Sequence, residues 1–225
     1  MVKLGIEQIE EYLHIFTNKR VGLITNPTGI TSDFTTTIEV LQKHTNLVSL
    51  FSPEHGVRGD LQAGVTLGDY VDEATGCMVY SLYGKNKKPS KEMLENVDLL
   101  AFDIQGVGAR FYTFVYTMAY AMMACAEYGK KMVVFDRPNP VNAVVVEGNI
   151  LDINYRSFIG YYPIPQRHGL TIGELAKLFN QEFEINCDLV VVPMKAYQRA
   201  MDYEDTLLPW VFPSPNIPNP ISTYA

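Results

Sequence analysis

Apolar positions along the chain fall into two rhythms. Short, nearly continuous apolar runs appear at RVGLIT (20–25), NLVSLFS (46–52), MVYSLYG (78–84), VDLLAFDI (97–104), KMVVFD (131–136) and DLVVVPM (188–194). Runs of this length bounded by Gly, Pro and Asn read as strands buried on both faces. Between them lie segments with helical spacing. IEQIEEYLHIF (6–16) puts Ile6, Ile9, Leu13 and Phe16 on one side, and TTTIEVLQKH (35–44) and the short KEMLENV (91–97) follow suit. FYTFVYTMAYAMMACAEYG (111–129) is apolar nearly all round and reads as a buried helix. TIGELAKLFNQEF (171–183) opens with Thr171 and has Glu174 three residues on, a capping box. Strands alternating with helices predict an α/β fold: an open, mostly parallel Rossmann-like sheet with helices on both faces. There are too few βα units for a closed eight-fold barrel. This domain is expected to span residues 1–195. Residues 196–225 read as a Pro-rich extension without a closing element.

Polar, proline and glycine residues gather just past the strand ends. TNPTG follows the first strand, SPEHG the second, QGVGAR follows VDLLAFDI and RPNP follows KMVVFD. Pro53 stops its strand, and Gly56 and Gly59 turn the chain, so Glu54, His55 and Arg58 stand on a loop. In open α/β sheets ligands bind at the carboxyl edge. Asn26, Glu54, His55, Asp103, Gln105, Arg110, Asp136, Arg137 and Asn139 should therefore converge. Residues 56–77 form a long aperiodic segment, the kind of loop that carries function or moves.

Composition removes several classes. The 225 residues carry 18 Lys and Arg against 25 Asp and Glu, a net charge of −7, which argues against a nucleic-acid partner. The three cysteines are far apart and form no CxxC, so neither a disulfide framework nor a zinc site is expected. A metal site from His55, Asp60 and Asp103 lacks diagnostic spacing. No apolar run is long enough to span a bilayer. Glu7, Glu10 and Glu11 occupy the place of a signal peptide's apolar stretch, which makes the chain cytoplasmic unless a leader has been removed. GxGxxG after the first strand, GxxxxGK[ST] and GxSxG are all absent, so no cofactor is expected. Carboxylates and arginines without a cofactor signature are the inventory of glycoside hydrolysis: one carboxyl group protonates the leaving oxygen and a second activates water or attacks.

RVGLITNPTG, LFSPEHGVRGD, VYSLYGKNKKPS, FDIQGVGARFYT, DRPNP, VVEG, YYPIPQRHGLTIGELAKLFN and PWVFPSPNIP occur in this order. Together, over about residues 4–220, they resemble the bacterial exo-β-N-acetylmuramidases, once known only as an uncharacterised domain family. The resemblance implies removal of N-acetylmuramic acid from the non-reducing ends of peptidoglycan fragments, in a cleft between a Rossmann-like domain and a smaller C-terminal one. Residues 196–225 would then be an extension leading to that C-terminal domain, which is expected to be largely absent here, leaving one side of the cleft open. It makes Glu54 the candidate general acid, and Glu147 and Asp103 the other candidate catalytic carboxylates. His55, Arg110, Asn26, Asp136, Arg137, Asn139 and His168 become candidate substrate-binding residues. The pattern departs from the family at Gly106, where DIQG stands for DIQD, and at Ala143, where the family has Gly. The first removes a carboxylate from a functional loop and keeps a non-catalytic sugar-binding module in play.

Each residue also has a plain structural role to weigh. Asp103 holds the backbone amides of QGVG or touches sugar. Arg110 pairs with Asp103 or Asp136, or reads the lactyl carboxylate. Asp136 and Arg137 shape a turn, and His168 caps a helix. Tyr83, Tyr112, Tyr161 and Tyr162 pack in the core or stack on sugar rings.

Overall fold

In a computed structural model, residues 1–59, 68–214 and 216–224 are described. The central sheet has seven strands: β1 (Arg20–Thr25), β2 (Asn46–Ser52), β3 (Tyr70–Val71), β4 (Met78–Ser81), β5 (Leu99–Asp103), β6 (Lys131–Phe135) and β9 (Asp188–Val192). Their order is β3-β4-β2-β1-β5-β6-β9, and every pair is parallel except the short edge strand β3 against β4. The chain first moves outward from β1 to β2 and β4, then returns to the other side of β1 with β5. That reversal makes the carboxyl ends of β1, β2 and β5 a topological switch point.

Alternate strand residues face two cores. Ile24, Leu100, Phe102, Met132 and Val134 pack against α3 (Phe114–Tyr128) and α4 (Ile172–Glu182). Val21, Leu23, Leu99, Ala101, Val133 and Phe135 face the opposite core with Ile38 and Leu41 of α2 (Thr37–His44). The period of two in these buried runs is the pleat of a sheet covered on both sides. The capping box expected at Thr171 and Glu174 closes on α4, and a second one, Thr36 with Glu39, closes on α2.

Three expectations about elements change. The amphipathic stretch from Ile6 is not one α-helix. It is a 3-10 helix over Ile6–Tyr12 followed by the single turn α1 (Leu13–Phe16). Residues 6, 9 and 12 lie one above another in a three-residue turn, which buries Ile6 and Ile9, and Glu7 pins the start by accepting from Leu4 N–H and Ser32. KEMLENV forms successive turns rather than a helix, with Leu94 and Val97 N–H donating three residues back. Seven residues are too few to repay helix nucleation, and Met93, Leu94 and Val97 are buried without it. A separate two-stranded antiparallel sheet, β7 (Glu147–Ile150) with β8 (Pro165–Arg167), lies between β6 and α4 in the chain and has no period-2 signal to announce it.

Beyond residue 195 the chain stays attached to the core. Lys3 and Lys195 form an antiparallel bridge, Tyr203 and Leu208 are buried beside Val2 and Ile6, and Trp210 packs on the same cluster. Among the described residues no helix is long and apolar enough to cross a membrane.

Candidate active site

The loop after β2 has an unusual backbone. His55 has φ +72°, followed by Gly56 at +83° and Gly59 at +73°. A non-glycine side chain in the left-handed region costs energy and persists only where the surroundings enforce it. Gly59 is also required sterically, since a Cβ there would lie 2.6 Å from Pro27 Cγ. The loops after β1 and β2 thus pack against each other. Above them runs the segment Trp210–Ser214, and the three enclose a cleft of about 590 Å³ lined by Asn26, Pro27, His55, Arg58 and Gly59 on one side.

Glu54, half-buried, immediately precedes His55, which lines this cleft. Its carboxylate takes a hydrogen bond from the Tyr83 hydroxyl, which raises the Tyr83 pKa, and Thr113 Oγ1 lies 3.5 Å from its Oε2. Tyr112 is also close. Its hydroxyl donates to the Pro213 carbonyl, and burial together with the Glu54 charge pushes its pKa up. One tyrosine therefore holds the carboxylate and the next ties down the covering segment. His55 Nδ1 is buried without a hydrogen-bond partner among the described residues. Asn26 lines the cleft while its Oδ1 accepts from Thr28 N–H at 3.0 Å and Thr28 Oγ1 at 2.6 Å.

Other expected residues sit at the carboxyl edge but face inward. Asp103 is fully buried and receives Arg137 Nε at 2.5 Å, Arg137 Nη2 at 2.8 Å and the Thr37 hydroxyl. Arg137 also donates to the Ile30 carbonyl at 2.7 Å. Burial alone would lower the Arg137 pKa, but the charge and hydrogen bonds of Asp103, together with Tyr203 and Glu7, raise it. Asp103 therefore holds a buried guanidinium rather than the amides of QGVG. Asp136 accepts from Gly173 N–H at 2.8 Å, Arg137 N–H at 2.9 Å and Thr171 Oγ1 at 3.0 Å, fastening the start of α4 to β6. Gly173 allows that approach, since a Cβ there would lie 2.8 Å from Asp136 Cγ. Burial lifts the Asp136 pKa to about 6 in spite of these bonds. Asn139 bridges the Val141 N–H and the Leu170 carbonyl. His168 Nδ1 accepts from Leu170 N–H at 3.2 Å, and burial lowers its pKa to about 4, so it is neutral.

Arg110 makes neither of the expected ion pairs. Its Nη1 donates to the carbonyls of Asn149 and Ile164, both at 2.7 Å, and so fastens the small sheet to the loop after β5. Glu147 lies on that small sheet, exposed, with Arg167 Nη1 at 2.7 Å from its Oε2, in a second cleft of about 340 Å³ shared with Gly108, Phe111 and Thr223. At Gly106 an added Cβ would meet only Ile172 Cδ1 at 4.0 Å, so the space for a larger residue exists. Tyr161 and Tyr162 belong to an aromatic cluster with Tyr120, Phe179 and Phe183 rather than to the cleft. Gln105 is buried, its amide donating to the carbonyls of Gly106 and Pro138. Asp60 lies outside the described residues, and among those described no three His, Cys, Asp or Glu side chains gather as a metal site.

Sequence reasoning left out the roles of Tyr83, Thr113 and the Trp210–Ser214 cover. Thr113 carries no signal of its own. The cover had one, since prolines bracket two aromatic residues in PWVFPSP.

Comparison with known proteins adds the family. The chain is 55% identical over 226 residues to the peptidoglycan beta-N-acetylmuramidase NamZ of Bacillus subtilis (strain 168), covering 99% of this chain and 55% of that one. It superposes on a DUF1343 family protein of Bacteroides fragilis NCTC 9343 with a TM-score of 0.92 at 46% identity, over 99% of this chain and 58% of that one. A second DUF1343 protein of the same organism gives 0.85 at 40%, over 100% and 59%. The chain thus spans somewhat over half the length of these relatives. Residues 21–221 match the pattern described as "Exo-beta-N-acetylmuramidase NamZ, N-terminal", and the chain belongs to that family.

Proposed function

We propose that this chain forms the Rossmann-like part of an exo-acting muramidase that releases N-acetylmuramic acid from the non-reducing ends of peptidoglycan fragments, with Glu54 as general acid. The name of the Bacillus subtilis relative supports the substrate class. The observation that carries the residue assignment is the setting of Glu54. It is a half-buried carboxyl at the end of β2, held by the Tyr83 hydroxyl, beside a cleft at the switch point. A general acid must reach the glycosidic oxygen from a fixed position, and hydroxyl contacts hold it there without forming an ion pair. Asn26 and His55 line the space where the terminal sugar sits, and Trp210 and Phe212 offer it apolar faces.

A second reading, a non-catalytic muropeptide-binding module, is favoured by one observation. The other expected carboxylates are already engaged: Asp103 by Arg137, Asp136 by the start of α4, and Glu147 by Arg167. A chromogenic N-acetylmuramide separates the two. The hydrolase reading expects the chain to release free N-acetylmuramic acid, with turnover lost and binding retained in Glu54→Gln. Saturable binding with no release supports the binding module instead. Wild-type turnover of a natural disaccharide by Glu54→Gln would remove the assignment of the acid.

A further inference from the structure

Among the described residues lining the cleft beside Glu54, Arg58 is the one that is always charged. Its guanidinium is used on one edge only. Nε donates to Asp72 Oδ1 at 2.7 Å and Nη2 to Asp72 Oδ2 at 2.9 Å, the side-on fork. Asp72 is a rigid post: its side chain is 6% exposed, and its Oδ2 also accepts from the Thr75 N–H at 3.0 Å and hydroxyl at 2.8 Å. The Arg58 contact holds the Asp72 pKa down at about 2. The other edge of the guanidinium, Nη1 with the second Nη2 proton, meets no protein acceptor among the described residues, and the Arg58 side chain is 40% exposed. A planar guanidinium locked on one edge presents the other as a preset bidentate fork for a carboxylate.

Arg110, the other arginine considered for this task, is 8% exposed and does not line the cleft. Net charge does not make the site attractive to anions, since Asp72 neutralises Arg58 and the Glu39 carboxylate is close enough to act on it. Selection by this arginine therefore rests on fork geometry rather than on a positive field.

We propose that Arg58 reads the carboxylate of an anionic amino sugar in this cleft and so sets a preference for muramic acid over glucosamine. This rests on the saccharide reading of the site given above. It differs from a purely structural Arg58–Asp72 pair, which would affect folding but treat all sugars alike.

The test is titration of the 225-residue chain with N-acetylmuramic acid, its neutral lactyl methyl ester and N-acetylglucosamine, followed by NMR. The wild type is expected to bind the acid about tenfold more tightly than the ester or glucosamine, the order of a charge-assisted hydrogen bond pair. Arg58→Gln and Arg58→Lys should both compress that preference to less than about twofold by weakening the acid alone, because lysine keeps the charge and loses the fork. Lysine also keeps a cation beside Asp72, so it decides the question if Arg58→Gln fails to fold. An unchanged preference in a folded variant overturns the assignment. So does sugar binding without preference for the acid in the wild type. Failure of the wild type to bind any of the three sugars overturns the saccharide reading itself, and this proposal with it.

Discussion

Asp136 and His168 make the stability of this protein depend on pH in opposite directions, and removing either should expose the other. Both side chains are buried near the start of α4, at 8% and 6% exposure. Burial raises Asp136 from 3.8 to about 6 and lowers His168 from 6.5 to about 4. Between pH 3.8 and 6 the folded protein holds a proton on Asp136 that the unfolded chain has lost, so stability falls as pH rises through that window. Between pH 4 and 6.5 the unfolded chain holds a proton on His168 that the folded protein refuses, so stability rises with pH. Each displacement of a little over two pH units corresponds to about 3 kcal/mol. In the wild type the two slopes nearly cancel, and stability should be almost flat from pH 4 to 6.5. Asp136→Asn leaves only the histidine, so stability should climb by about 3 kcal/mol across that range, a rise in melting temperature of about 6–12 °C for a chain of this size. His168→Gln should show the mirror image and lose stability as pH rises from 4 to 6. Thermal melts by circular dichroism at half-unit steps, with urea unfolding at the two ends, measure both slopes. Parallel pH profiles for the wild type and both variants would refute the reasoning.

The Arg137–Asp103 pair is expected to hold the fold rather than a ligand. Arg137→Met should cost about 3–5 kcal/mol, because it strands a buried carboxylate, and replacing Asp103 by Leu as well should restore much of the loss; an unchanged melting temperature with lost sugar binding would return Arg137 to the site. Tyr112→Phe removes the donor to the Pro213 carbonyl, worth about 1 kcal/mol. Amide hydrogen exchange within Trp210–Ser214 should then quicken about fivefold, and unchanged exchange would show that Trp210 packing alone holds the cover.

The sheet was legible where its strands are buried. Leu99–Asp103 is buried at every position, and a run like that has few alternatives to a central parallel strand. The capping box at Thr171 and the all-round apolar helix over Phe114–Tyr128 were equally plain. What escaped was structure set by partners rather than by pattern. Glu147–Ile150 is exposed along its whole length and exists as a strand because Pro165–Arg167 pairs with it. Ile6–Tyr12 has a helical apolar pattern, and its tighter winding follows from anchoring by Glu7 and from which residues the core accepts. For the site, sequence pointed to the carboxyl edge of the sheet but could not say which way each side chain points. Asp103, Asp136 and Asn139 are at that edge and face inward.

That difference has a common cause. Strand ends at a switch point carry polar residues for two unrelated reasons. Backbone groups released from the sheet need partners, and Asp136, Asn139 and Asn26 supply them at short range in the chain or across one helix start. Ligands need partners too, and a group that serves a ligand must not be satisfied by the protein. Full burial with complete hydrogen bonding therefore argues against contact with substrate, and partial exposure with unused bonding capacity argues for it. By that measure the loop after β2 stands apart. Glu54 is half-buried and held by hydroxyls, His55 Nδ1 has no partner among the described residues, and Arg58 spends one edge of its guanidinium on Asp72. The same loop holds its histidine at φ +72°, a strained backbone that its surroundings maintain. Strain, exposure and unused donors coincide in Glu54–Arg58, and that coincidence sets this loop apart, as the candidate for substrate contact, from the equally polar loops beside it.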